Sequence, residues 1–420
     1  MYAMLDSPPP PGRPLPLSSD DTLAGLDMTG LRRRRLAGVR RALARQDYAG
    51  ILLYDPINIR YATGSRNMAV WTLHNAVRYC FIPTEGPVIL FDFHNCEHLS
   101  AGLGTVDEVR PAIGWFYFGA GARGPEQAKR WAGEIADLVS RHGGGNRRLA
   151  VDRCDPMGSF ALRDLALELG EGQELMELVR AIKLPDEMEP IRQSMAVCEA
   201  GMARMQEALR PGLSENELWS LLHETNIAEG GEWIETRLLT AGSRTNPWFQ
   251  ESSDRIIRPG ELVAFDTDLI GPFGYCSDVS RTFFCGPGKP SQRQKDLYGL
   301  AYDQIQTNMA LFRAGRSAVE IAEAAWKIPD RFLPYRYGSL AHGVGLCDEY
   351  PRISHSMDFA RSGYDFVLEA GMTLCVESYI GEPGDTQGVK LEEQILITEG
   401  DPINLSTYPF EEQLLPSRWV

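Results

Sequence analysis

GELVAFDTDLIGPFGYCSDVSRTFFCG, residues 260–286, places two apolar runs on either side of Gly271-Pro272-Phe273-Gly274. Apolar runs interrupted by Gly and Pro predict a β-hairpin. Side chains alternate along a strand, so Asp266 and Asp268 are predicted to share one face. Folding about the turn centre brings Asp278 opposite that pair. Three carboxylates then converge between apolar strands. Ionised carboxylates that close repel one another, and burial adds a desolvation cost. A divalent cation relieves both.

GMTLCVESYIGEPGDTQGVKLEEQILITEG, residues 371–400, repeats the device. Folded about a turn near Pro383-Gly384, it sets Glu377 opposite Glu392. The stretch AHGVGL adds an imidazole, His342. Asp266, Asp268, Asp278, His342, Glu377 and Glu392 make an oxygen-rich set with one nitrogen, which suits Mn, Fe, Co or Zn. So many carboxylates point to two metal ions rather than one. The plainer alternative is a set of exposed hairpin acids with no shared role. It fits poorly with two hairpins that each place an acid between apolar strands.

The rest of the chain sets bounds. At 420 residues it exceeds one ordinary domain. A net charge of -15 argues against nucleic acid as a partner, since phosphate binding needs a basic face. Eight scattered cysteines without a CxxC pair read as reduced thiols of a cytoplasmic protein. No apolar run approaches the roughly 20 residues of a membrane span. The first 30 residues form a Pro-rich arm without the order of a signal peptide. LRRRRLAGVRRALARQ (31–46) reads as a helix with a basic, solvated face. AGILLYDPINIRYATG and AVRYCFIPTEGPVILFDF read as strands broken by Pro and Gly. PEQAKRWAGEIADLVSRHGGG reads as a helix and RRLAVD as a strand. Residues 31–183 therefore read as a small α/β domain. A break near Lys183-Leu184-Pro185 opens an α+β domain over 184–420.

The motifs FDTDLIGPFGYCSDVSRTF, AHGVGL, GMTLCVES and GVKLEEQ resemble the metal motifs of the pita-bread superfamily of creatinase, prolidase, aminopeptidase P and methionine aminopeptidase. The resemblance carries over Asp266, Asp278, His342, Glu377 and Glu392 as ligands. It also implies a creatinase/prolidase-like first domain, with NIRYATG its most familiar stretch, and a homodimer whose neighbouring first domain closes the site. The departures are specific. The peptidases show Asp-x-Gly where DTD stands here, a histidine where NPWFQ has Trp248, and His-Glu where Asp348-Glu349 stands. YRYGSLAH lacks a further family histidine, though Tyr337 is near. The pattern is similar to the DddP-type dimethylsulfoniopropionate lyases, for which iron is the favoured metal.

A lyase needs a base for a carbon-bound proton rather than a nucleophilic water. Asp348 in HGVGLCDEYP (342–351), beside the ligands but not among them, is the expected base. Its plainer reading is a turn-capping aspartate ahead of Pro351. The expected substrate is a small zwitterionic sulfonium, a cation without hydrogen-bond donors, which suits an aromatic face. Trp248 and Tyr337 are the expected faces, with Trp71 and Trp115 as further candidates set against ordinary packing. Cys276, Cys347 and Cys375 read as small packing thiols, and His355 as a surface histidine. Two alternatives stand beside the lyase: a peptidase acting before proline, and a binding module without catalysis.

Overall fold

The structure is a computed structural model and describes residues 26–415. It divides into two compact units, Asp27–Arg180 and the part from Ala181 onward. All but the last few residues of the expected Pro-rich arm lie outside the described residues. The chain from Met28 to Arg45 is already helical.

The first unit is built on a six-stranded sheet of β1 (Gly50–Leu53), β2 (Tyr79–Pro83), β3 (Ile89–Asp92), β4 (Glu108–Pro111), β5 (Arg148–Val151) and β6 (Glu168–Glu171). Their order is β4-β3-β2-β1-β5-β6, with β1 parallel to β5 and antiparallel to β2. GILL, YCFIP and ILFD are buried throughout, as continuous apolar runs in a sheet covered on both faces should be. The helix Gly124–His142 covers it, with Trp131 packed against Tyr79. Trp115 joins that core, its ring 5.2 Å from Trp131, which is the packing reading. Trp71 is half-exposed and lies against Phe93.

One expected strand is a helix. NIRYATG belongs to Pro56–Thr63, which is α-helical. Asp55 caps its start by accepting from Ile57 N, and Pro56 fits the first turn. Gly64 ends it at φ 78°, where a residue without Cβ is favoured. Three good local signals outweigh the apolar pattern. The basic helix also departs in part from a solvated face, because Arg35 is buried over the Tyr61 ring.

The second unit opens with the helices Met188–Ala208 and Glu215–Ala228, which pack together. Its strands are β7 (Trp233–Ile234), β8 (Leu239–Ala241), β9 (Leu262–Asp266), β10 (Leu269–Ile270), β11 (Cys276–Ser277), β12 (Ser280–Phe284), β13 (Ala341–Val344), β14 (Asp348–Ile353), β15 (Thr373–Ile380), β16 (Val389–Leu396) and β17 (Ile403–Asn404). They form sheets β11-β10-β7, β12-β9-β8 and β14-β13-β15-β16-β17. The helix Gln292–Met309, capped by Ser291 and Gln294, lies on β15 and β16. Among the described residues no helix is long and apolar enough to cross a membrane.

The predicted first hairpin is split in two. β9 stops at Asp266 and β10 starts at Leu269, in a different sheet. Between them Thr267 Oγ1 donates to Ser277 O and accepts from Val279 N, bridging the gap from one strand to the other. Asp268 takes a left-handed φ of 34°. Simple strand alternation therefore does not set its direction; the kink does.

Candidate metal centre

Four strands, the kink at Asp268 and the break between β11 and β12 at Asp278 bring the acids and the imidazole together. Asp266 ends β9, with Ser280 of β12 paired to it across the ladder. Asp268 follows at the kink, and its backbone N–H lies 3.4 Å from Asp278 Oδ1. Glu377 on β15 and Glu392 on β16 are direct cross-strand partners. His342 on β13 pairs with Cys375 of β15, two residues before Glu377 and on the same face. The five carboxylates are all buried, so they are not solvated hairpin acids.

The donor atoms fall into two overlapping groups. Asp266, Asp268 and Asp278 each offer an oxygen within 4.8 Å of the others. Asp278, His342, Cys375 and Glu392 do the same with oxygen, nitrogen and sulfur. Asp278 belongs to both. His342 Nε2 stands 3.3 Å from Glu377 Oε1 and 3.5 Å from Asp278 Oδ2. Glu392 Oε1 is buried and makes no hydrogen bond.

Crowding in a dry pocket sets the electrostatics. Burial, then Glu392, pushes the Asp266 carboxyl well above the usual range. Burial, then Asp268, does the same to Asp278. Asp268 is pushed up to about 7 by burial and by Asp348. Burial opposes ionisation of Glu392, yet Lys390 and His342 overcome it and hold that carboxyl well below the usual range. These opposed shifts belong to one pocket short of positive charge.

Lys390 is not among the site residues expected from the sequence. Its Nζ lies 2.6 Å from Glu377 Oε2, 2.8 Å from Glu392 Oε2 and 3.2 Å from Asp266 Oδ2, fully buried. Fully ionised, five carboxylates against one ammonium would leave four negative charges, which two divalent cations would balance. The donor set, the buried Glu392 Oε1 that makes no hydrogen bond and lies 3.6 Å from His342 Nε2, and this charge deficit all fit a pair of divalent ions. The signal was available: Lys390 stands two residues before Glu392 in an alternating strand. Ser280, two after Asp278, was equally available; its Oγ is 2.7 Å from Asp266 Oδ1.

Asp348 opens β14, with 55% of its side chain exposed. Its Oδ1 lies 3.6 Å from His342 Nδ1, across the imidazole from the buried acids. Loss of water to surrounding protein raises its carboxyl, His342 works against that, and Glu392 adds to it. The outer edge of the group nevertheless remains open to solvent.

The two expected aromatic residues stand at the pocket. Lys390 Nζ lies 4.7 Å from the Tyr337 ring centroid and 6.0 Å from that of Trp248. Both rings therefore face an internal cation. Phe249, largely exposed, packs 5.3 Å from Tyr337 and extends the aromatic wall. Cys375 is buried as expected, but its sulfur also lies among the donor atoms. His355 is not at the surface. It is buried to 5% exposure, and its Nε2–H donates to Tyr337 O at 3.0 Å. The ring is held on Tyr337, 18 residues earlier in the same chain, a contact that the local sequence does not record.

A two-unit chain with a buried acid–imidazole cluster in its second unit defines a class of metalloenzyme. Residues 189–399 match metallopeptidase family M24 and residues 35–182 match the creatinase/prolidase N-terminal domain. The chain belongs to that metallopeptidase family, whose members carry two metal ions. Dimethylsulfoniopropionate lyase DddP of Roseovarius nubinhibens is 41% identical over 398 residues, covering 94% of this chain and 89% of that one. The protein of the same name from Roseobacter denitrificans is 39% identical, covering 93% and 88%. Among solved structures, an Xaa-Pro dipeptidase from Bacillus anthracis gives a TM-score of 0.72 at 23% identity, covering 90% of this chain and 99% of that one. That likeness shows the pita-bread fold alone.

Proposed function

We propose that this chain is a metal-dependent carbon–sulfur lyase that cleaves dimethylsulfoniopropionate to dimethyl sulfide and acrylate. The observation that carries the chemistry is the place of Asp348: a carboxylate open to solvent, across the His342 ring from a buried ligand set. The near-full-length similarity to two lyases of that name supports the choice of substrate. Asp266, Asp268, Asp278, His342, Glu377 and Glu392 would hold two divalent ions, with iron favoured by resemblance. Bound there, the ions supply Lewis acidity toward the substrate carboxylate.

Asp348 takes the proton from the carbon next to that carboxylate. The released C–H pair becomes the new C=C bond. The C–S pair leaves with sulfur as neutral dimethyl sulfide, and acrylate remains. Trp248 and Tyr337, extended by Phe249, form the wall against which the sulfonium methyl groups rest. His355 steadies Tyr337 through its backbone carbonyl. The enzyme works as a cytoplasmic homodimer in this reading, in keeping with eight cysteines of which none forms a disulfide.

Headspace measurement of dimethyl sulfide after adding dimethylsulfoniopropionate to metal-loaded protein tests the reading. Stoichiometric dimethyl sulfide and acrylate are expected. Hydrolysis of Xaa-Pro peptides without dimethyl sulfide would instead establish the peptidase alternative.

A further inference from the structure

The second unit contains a buried ion pair that lies outside the acid cluster. Lys183 Nζ contacts Glu349 Oε1, with the two side chains only 2% and 1% exposed. The partners are 166 residues apart in sequence. Replacing a buried ion pair by apolar residues often leaves stability unchanged or raises it, so stability alone is a weak reason to keep one. Its position is more informative. Glu349 follows Asp348 on β14, so the two side chains leave opposite faces of the strand. Asp348 leaves on the exposed side, towards His342, while Glu349 is buried on the other.

Lys183 is itself fixed. Its backbone N–H donates to Gly371 O at 2.9 Å, and Ile182 bridges to Met372, just before β15. The sheet order is β14-β13-β15, so Lys183 links the two strands that flank the strand of His342. The turn from β13 to β14 wraps the Glu349 carboxylate, and a Cβ at Gly345 would overlap Glu349 Oε1. Gly345 N closes that turn on Cys347 O at 2.9 Å. The pairing of β13 with β14 shifts register between His342 and Gly343, so Asp348, paired with Val344, stands on the far side of that break from His342.

We propose that Lys183 and Glu349 are positioning residues that set the depth of β14 and thereby hold Asp348 in line with His342. The proposal rests on Asp348 being the base of the elimination. The ion pair is the anchor, and Asp348 is the group it aims. A displacement of about 1 Å at a reacting group can cost about 100-fold.

The test uses full-length, metal-loaded protein. Glu349→Asp keeps the charge but shortens the arm, and Lys183→Arg lengthens the other arm. Glu349→Asp is expected to lower kcat by about 10- to 100-fold, with metal content and KM unchanged and faster amide exchange over residues 343–350. Adding Lys183→Arg should restore kcat and slow the exchange again. Lys183→Met/Glu349→Leu, which buries no lone charge, should fold and show the same loss of kcat. Unchanged kcat in Glu349→Asp, or a loss that follows metal content, overturns the proposal. If the wild-type protein releases no dimethyl sulfide, the lyase reading fails separately. Amide exchange then decides, and unchanged exchange over 343–350 in Glu349→Asp overturns the anchor.

Discussion

Lys390 leaves β16 on the same face as Glu392 and reaches three acids from one nitrogen. It reduces the negative charge before any metal binds. Lys390→Met should therefore be felt most in metal-free protein. Leaving buried charge uncompensated costs up to about 3–5 kcal/mol, or roughly 6–20 °C in melting temperature for a unit of this size. Calorimetry in chelator should show that drop, and metal loading should shrink it. Equal drops with and without metal would defeat the charge-balance reading. Asp348 poses a different problem, because it touches the chemistry and not the fold. Asp348→Asn is nearly the same size but cannot accept a proton at neutral pH. It should keep its metal and its melting temperature while losing about 10²–10⁴-fold in turnover. Near-normal dimethyl sulfide release from a fully metal-loaded Asn variant would remove Asp348 from the role of base.

At the scale of elements, the two hairpins behave differently. The β15–β16 ladder is regular from Thr373–Leu396 to Ile380–Val389, so counting outward from the turn places Glu377 against Glu392. The first hairpin keeps a single count as well, since Asp266–Ser280 and Leu269–Ser277 share one turn centre, but Thr267 and Asp268 leave the ladder and divide it between two sheets. A kink at a non-glycine residue has no plain signature in an alternating apolar pattern. The β13–β14 hairpin hides its irregularity too. A Cβ at Gly343 would stand 2.5 Å from Tyr350 O and 2.6 Å from Glu349 O, and backbone cannot move aside cheaply. Gly343→Ala should cost about 1–3 kcal/mol as an overpacking change, with a larger loss of turnover than of stability. Urea unfolding and dimethyl sulfide release measured together check this. Wild-type activity in a variant that unfolds as early as expected would separate the bulge from the site.

For the whole molecule, acid tolerance should have a contribution from one buried ring. Burial holds His355 down to about 4, against an ordinary value of about 6.5. A ring kept neutral by the fold contributes stability that is fully present above 6.5 and lost as pH falls toward 4. At pH 4.5 the loss amounts to about 2–3 kcal/mol. His355→Gln, whose amide still donates to Tyr337 O, should show a smaller fall in unfolding free energy between pH 7 and pH 4.5. An unchanged pH dependence would mean that the ring ionises freely in the fold.

The two-part organisation, the α+β character of the second unit, the acids of the two hairpins and the position of Asp348 were readable from the chain. They follow from local rules: alternation along strands, Pro and Gly at turns, and order along a motif. The helix at Pro56–Thr63 is locally encoded as well, by caps that compete with a strand-like apolar pattern. Only the tertiary structure decided that Lys390 sits among the acids, that His355 is buried under Tyr337, and that Lys183 meets Glu349. Each of these depends on which segment lies beside which, across up to 166 residues of chain. No local periodicity records such contacts, because burial of a charge is decided by what packs over it.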